Sequence, residues 1–292
     1  MTPVPRTLPV APPDLQDLAD HSIQGKATVP AALLLDLLLR NAPAHDASGE
    51  SQPVPAVFPL VMREAVFPRF LPAEEVERCT FEIALEDVLG EGAETRTRAT
   101  LTSRIALAGG VRRTRTHAAV TLGGSAPPMP LPPAEIACDL EMAADWAYAE
   151  LIPFGPRYRN LRGSIRLGRD GTTGEVRSPE PALPEPSRAG CPYLFDGAMH
   201  LACLWGQRYA GYVAYPTGFA ARVVASPLAH GERCCVVAPR SVEPRGLICD
   251  LWLTDENHRV CDVVLGLAMA PLARGTQPPA WIVHPSAPGR TP

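Results

Sequence analysis

The stretch DHSIQGKATVPAALLLDLLL, residues 20–39, sets one histidine ahead of a run that is apolar almost all the way round and broken only by Asp36. From Val29 to Leu39 the run is too short for the roughly 18 apolar residues of a membrane span, so it reads as a buried helix. Thr28 stands where an N-cap is expected, and Pro30 fits the first helical turn, where its missing N–H costs nothing. The helix is expected to run to about Arg40, a cation that suits a helix C-terminus. A helix with no polar face needs apolar surface on most sides, which a sheet curled around it supplies.

The same pairing of one greasy helix with several strands occurs twice. In the first half, CTFEIALEDV (79–88) and TRATLTSRIAL (97–107) read as strands, AGG (108–110) turns the chain, and VRRTRTHAAVTL (111–122) returns as the other arm of a hairpin, its arginines on solvated faces. SAPPMPLPPAE (125–135) is the clearest linker. It divides the chain into residues 1–124 and 136–292, two halves of one functional unit. In the second half NLRGSIRLG (160–168) alternates, with Leu161, Gly163, Ile165 and Leu167 on one face and Arg162, Ser164 and Arg166 on the other. A proline-rich loop (178–192) leads into YLFDGAMHLACLWGQRYAGY (193–212), a second buried helix expected to begin near Phe195. Further strands are ERCCVVAPRSV (232–242), GLICDLWLTD (246–255) and RVCDVVLGLAMAP (259–271), with a turn at TDENHR (254–259).

The totals exclude several classes. At 292 residues there is enough chain for a sizeable core, and 46% apolar with 20% charged residues is ordinary for a globular protein. A net charge of -4 argues against a nucleic-acid partner. No segment is apolar enough for a membrane span, and the N-terminus lacks the continuous apolar region of a secretory signal. The 8 cysteines contain no CxxC pair, so they predict no zinc site and read as reduced, mostly buried thiols of a cytoplasmic protein. The 34 prolines predict long, stiff connecting loops.

Three short features carry chemistry. His21, Gly25 and Pro30 form HxxxGxxxxP, Asp196 and His200 form DxxxH on one face of the second helix, and FGPRYRNL (154–161) lies between them. In this order they resemble the dehydratase domains of modular polyketide synthases, which carry HxxxGxxxxP, a YGPxFxxL-like segment, and DxxxQ or DxxxH. The segments AYPTGFAARV (214–223) and 251–271 look like later strands of the same family. The resemblance covers nearly the whole chain. It implies an α+β double hotdog, two antiparallel sheets each wrapped around a long central helix, with one active site between the halves.

The resemblance also implies an activity: loss of water from a β-hydroxyacyl thioester to give an α,β-unsaturated thioester. The substrate rides on the phosphopantetheine of an acyl carrier protein, with no bound cofactor and no metal. Other synthase domains and a second copy in a homodimer are the further partners implied. His21 is then the base, and Asp196, kept protonated by its dry setting, protonates the departing oxygen. His200 orients Asp196, and Gly25 and Pro30 shape the site. A backbone N–H at the start of the first helix meets the charge on the thioester oxygen. Burial is expected to keep the His21 imidazole neutral and basic. Phe154 stands where the family often has tyrosine, and Tyr158, where phenylalanine is usual, offers a hydroxyl from another angle. Arg157, Arg159 and Arg162 are candidate contacts for the carrier arm, against the plainer reading of a solvated basic face. The same His and Asp pair also suits aldol cyclisation, as in product-template domains, double-bond shift or pyran formation. A non-catalytic carrier-binding or scaffolding domain is the third reading.

Overall fold

The computed structural model describes residues 6–13, 17–42, 58–90, 94–106, 112–180, 188–228, 231–272 and 276–284. The first helix, α1, spans Ala31–Asn41 and buries Leu34, Leu35, Leu38 and Leu39 to within 2% of full enclosure. Each such leucine contributes about 1.5–3 kcal/mol by leaving water. Asp36, the one polar break, accepts a 2.6 Å hydrogen bond from Arg40 Nε one turn on, so its charge is answered inside the helix. Thr28 is not the N-cap. It belongs to strand β3 (Lys26–Val29), where its backbone pairs with Pro72, and its hydroxyl donates back to Lys26 O at 2.9 Å. Pro30, in an extended conformation, takes the cap position, and its carbonyl accepts from Leu33 N and Leu34 N.

The second central helix, α4, spans Pro192–Trp205, three residues earlier than the apolar pattern predicts, because Pro192 itself occupies the first turn. Every residue of it except Cys203 is buried. It continues as one π-helical turn over Gly206–Ala210 and ends at Gly211, whose φ of 75° is the left-handed stop that glycine allows. Two shorter helices complete the set: α2, Ala73–Val76, and α3, Ala144–Glu150.

The strands form one long antiparallel sheet. Its first part runs β1 (Arg6–Val10), β6 (Thr80–Leu89), β7 (Thr95–Ala106), β8 (Arg112–Leu122) and β4 (Leu60–Val66). It continues through β12 (Ala214–Val224), β15 (Val260–Pro271), β14 (Gly246–Thr254), β13 (Glu232–Glu243), β11 (Gly171–Arg177), β10 (Leu161–Gly168) and β9 (Leu140–Ala143). The junction is β4 against β12, with Ala65 opposite Phe219 and Val61 opposite Val223. The first helix packs on β7 and β8, the second on β10 to β14, and the two helices touch each other. This is the double hotdog arrangement the apolar helices call for. A small sheet of β2 (Ser22–Ile23), β3 and β5 (Leu71–Pro72) sits apart from the long one.

Two local readings change. The alternation over 160–168 breaks at Gly163, which is exposed with φ of 59° at a register shift between Arg162 and Arg166, so only Leu161, Ile165 and Leu167 face the core. The turn at 108–110 lies outside the described residues, as do residues 181–187 of the proline-rich loop, although β7 and β8 pair as the hairpin requires. Residues 125–135 form neither helix nor strand, and Trp252 Nε1 donates to Pro130 O at 2.9 Å. All eight cysteines are free. Among the described residues no cluster of His, Cys, Asp or Glu is suited to hold a metal, and no helix is long and apolar enough to cross a membrane.

Near the junction, Arg222 of β12 and Asp262 of β15 form a fully buried ion pair at 2.6 Å, with the guanidinium 4.1 Å over the Phe195 ring of α4. Removing one member of such a pair strands a charge in the core. Asp262→Ala should therefore lower unfolding free energy in urea by about 3–5 kcal/mol. The double change Arg222→Met with Asp262→Leu should cost clearly less. Equal losses for the two variants would show that the pair is not a buried electrostatic unit.

Candidate active site

His21 is held from both sides. A short 3-10 turn, Leu18–Asp20, delivers it to the β2–β3 hairpin. The hairpin tip is Gln24–Gly25, with φ of 51° and 75°, the double left-handed turn that glycine favours. A side chain at Gly25 would meet open space, so the position answers to its backbone angle and not to a close approach. Across the hairpin, Thr28 N donates to His21 O at 2.9 Å, and the His21 ring lies with Nδ1 2.7 Å from Thr28 O. A carbonyl can only accept, so Nδ1 carries the proton and Nε2 is left as the basic nitrogen.

The segment 154–158 is stitched onto this turn. Gly155 N donates to Asp20 O at 2.7 Å, and Arg157 N donates to the Asp20 carboxylate at 2.8 Å. A Cβ on Gly155 would fall 2.7 Å from Asp20 Cβ, which explains the glycine of the FGPRY motif as a contact with the residue before His21. Phe154 then lies between two imidazoles, its ring centre 4.5 Å from that of His21 and 5.0 Å from that of His200.

The other wall is a stripe of α4. At about 100° per residue, Asp196, Met199, His200, Cys203 and Gln207 share one face of the helix. All five, with His21, Gly25 and Pro30, line one cavity of about 490 Å³. Its walls are largely apolar, including Val29, Leu34, Phe67 and Met269, and exposed Gln24, Arg69, Glu150 and Gln277 stand on its rim. His21 and Asp196 are each 5% exposed. Asp196 Oδ2 lies 3.1 Å from His200 Nε2 and accepts from Asn160 Nδ2 at 3.3 Å. The His200 contact falls short of hydrogen-bond alignment. On the far side of the ring, His200 Nδ1 is 3.1 Å from the Tyr148 hydroxyl, and that oxygen accepts from Leu161 N at 2.8 Å.

Burial pushes the His21 imidazole below its ordinary value, and the nearby Asp196 carboxylate and the Thr28 carbonyl only partly oppose it. The base expected from the sequence is neutral. Asp196 differs from expectation. Burial pushes its carboxyl up, but His200, His21 and Asn160 together more than offset that, and it rests below the usual carboxylate range. The direction is opposite to the upward shift that dryness alone predicts.

The structure gathers His21, Asp196, His200, Gly25 and Pro30 around one cavity. Tyr158 does not line it. It is 1% exposed, packs 5.1 Å behind the His21 ring and hydrogen-bonds with Tyr193. The three candidate arginines are turned elsewhere: Arg157 to Asp17 at 3.1 Å, Arg159 to Phe154 O at 3.0 Å, and Arg162 to Arg159 O at 2.7 Å. The cation on the rim is Arg69, which sequence reasoning missed along with Asn160, Tyr148 and Gln207. Two had a visible signal: Asn160 stands within FGPRYRNL, and Gln207 has helical spacing from Asp196. At the head of α1, Ala31 lines the cavity and, like any first-turn residue, has no N–H partner four residues back.

An imidazole with its basic Nε2 and a carboxylate beside the first turn of a helix, around an apolar chamber, are suited to moving a proton at a carbon beside a polarised carbonyl. Residues 129–279, just over half of the chain, match the model of the polyketide synthase dehydratase N-terminal domain. No curated protein matches the chain. Among solved structures it is similar to the dehydratase domain from the CurJ module of curacin polyketide synthase, with TM-score 0.66, 16% identity, and 88% of each chain covered. It is also similar to the PpsC dehydratase domain from Mycobacterium tuberculosis, with TM-score 0.65, 20% identity, and 91% of this chain and 92% of that one covered. A third similar structure, GphF dehydratase 1, has TM-score 0.66 at 16% identity over 91% of this chain and 93% of that one. At such identities these structures speak for the shared fold, and the sequence family speaks for the chemistry. The chain belongs to the polyketide synthase dehydratase family and is a hydro-lyase of polyketide or related biosynthesis.

Proposed function

We propose that the chain removes water from a β-hydroxyacyl thioester carried on the phosphopantetheine arm of an acyl carrier protein, leaving an α,β-unsaturated thioester, with His21 and Asp196 as the working pair. The observation that carries this reading is a basic imidazole nitrogen and a hydrogen-bonded carboxylate, 175 positions apart in the chain, opening on one largely apolar chamber. An acyl chain suits such walls, and the PpsC dehydratase domain has been solved with C12:1-CoA.

His21 Nε2 takes the α-proton. The charge that builds on the thioester oxygen meets the N–H groups and positive end of α1. The Asp196 carboxylate, steadied by His200 and Asn160, accepts a hydrogen bond from the β-hydroxyl and so aims the C–O bond. A charged imidazole is costly in this dry setting, so His21 gives its proton up to Asp196, and Asp196 passes it to the departing oxygen. One C–H and one C–O bond break, a C=C bond forms, and the transferred proton completes the water. Pro30 and the Gly25 turn shape the cavity beside His21, and Arg69 at the rim is the cation assigned to the arm's phosphate.

Incubation with a β-hydroxyacyl carrier substrate should yield a product lighter by one water. His21→Ala and Asp196→Asn should each lower kcat by about 10²–10⁴ while melting as cooperatively as the parent. A cyclised product of unchanged oxidation state, or folded variants as active as the parent, would contradict the reading. The His21 ring, followed by NMR, should titrate below the ordinary imidazole value, and Asp196→Asn should lower it further by removing a stabilising negative charge. An upward shift in that variant would mean that the two groups do not share one site.

A further inference from the structure

His200 can donate to Asp196 only if its proton sits on Nε2, and nothing in the Asp196 contact alone enforces that. The neutral ring has two tautomers, and the wrong one turns a lone pair toward the carboxylate. The enforcement comes from the other side. The Tyr148 hydroxyl, 1% exposed, already accepts from Leu161 N at 2.8 Å. The backbone of Asn160 also donates toward this oxygen, and His200 Nδ1 lies 3.1 Å from it. A backbone N–H can only donate, so the phenolic hydrogen is free to point at Nδ1. Were Nδ1 protonated instead, the phenol would take a further donor and its own hydrogen would be buried without an acceptor, at a cost of about 1–3 kcal/mol. From this geometry we infer that Tyr148 is a positioning residue that locks His200 in the Nε2–H tautomer, so that a donor and not a lone pair faces Asp196. The backbone of β10 thereby sets the proton position two side chains away, through Leu161 N–H, Tyr148 and His200. This rests on the assignment of Asp196 to the reaction only for its kinetic consequence, since the tautomer itself is a property of the resting protein.

The second aromatic neighbour of His200, Phe154, has no hydroxyl with which to replace that of Tyr148. Glutamine at position 200 needs no such lock, because its amide nitrogen carries hydrogens in every state.

The test uses the whole chain labelled with ¹⁵N-histidine. Across the pH range in which the His200 ring is neutral, the parent should carry its proton on Nε2, and Tyr148→Phe should give a mixture of the two tautomers. A parent ring protonated on Nδ1, or a variant whose tautomer is unchanged, would overturn the inference whatever the enzyme's activity. In the dehydration assay, Tyr148→Phe should lower kcat about tenfold in the His200 parent, the size of one lost charge-assisted hydrogen bond. It should have much less effect in a His200→Gln background. Equal losses in both backgrounds would assign Tyr148 a merely structural role and would also overturn the inference. Should Tyr148→Phe fold poorly, the parent's tautomer still decides, because a parent found in the Nδ1–H form has no lock to lose.

Discussion

Everything in the site depends on the seam where β4 pairs with β12. Those two strands turn two helix-and-sheet units into one continuous antiparallel sheet, and they bring α1 and α4 into contact along its inner side. His21 comes from the turn ahead of α1, and Asp196 from the first turns of α4. Neither unit alone holds both residues of the proposed working pair. The buried Arg222–Asp262 pair and the Phe195 ring fix α4 to β12 close to this seam, so the position of Asp196 is tied to the same strand that makes the junction.

The chamber sets two physical demands against each other. An apolar cavity favours an acyl chain and strengthens every electrostatic contact within it, but it penalises each buried charge. The site resolves this unequally. Burial disfavours the charged His21 ring and outweighs the pull of Asp196 and of the Thr28 carbonyl toward the charged form. His200, His21 and Asn160 together hold the Asp196 carboxyl below the usual carboxylate range despite its burial.

Much of the fold was legible in the sequence, for local reasons. A run such as AALLLDLLL has one stable home, a helix enclosed by apolar surface, and two such runs among many strands call for two enclosures. His21 and Asp196 were legible because short spacings carry them. What escaped depends on distant partners. Thr28 reads as a cap until β5 is there to pair with it, and Gly163 reads as a core position until the bulge in β10 turns it outward. Asp196 reads as a protonated acid until Asn160, 36 positions away, is seen donating to it. Tyr148 is 52 positions from His200 and belongs to no motif, so its role exists only in the folded chain.

The most direct measurement of the central claim is a double-mutant cycle on dehydration with His21→Ala, Asp196→Asn and the pair combined. Two groups that pass one proton between them fail together, so the double variant should be no slower than the worse single variant. Losses that multiply, as for residues acting in separate places, would contradict the account.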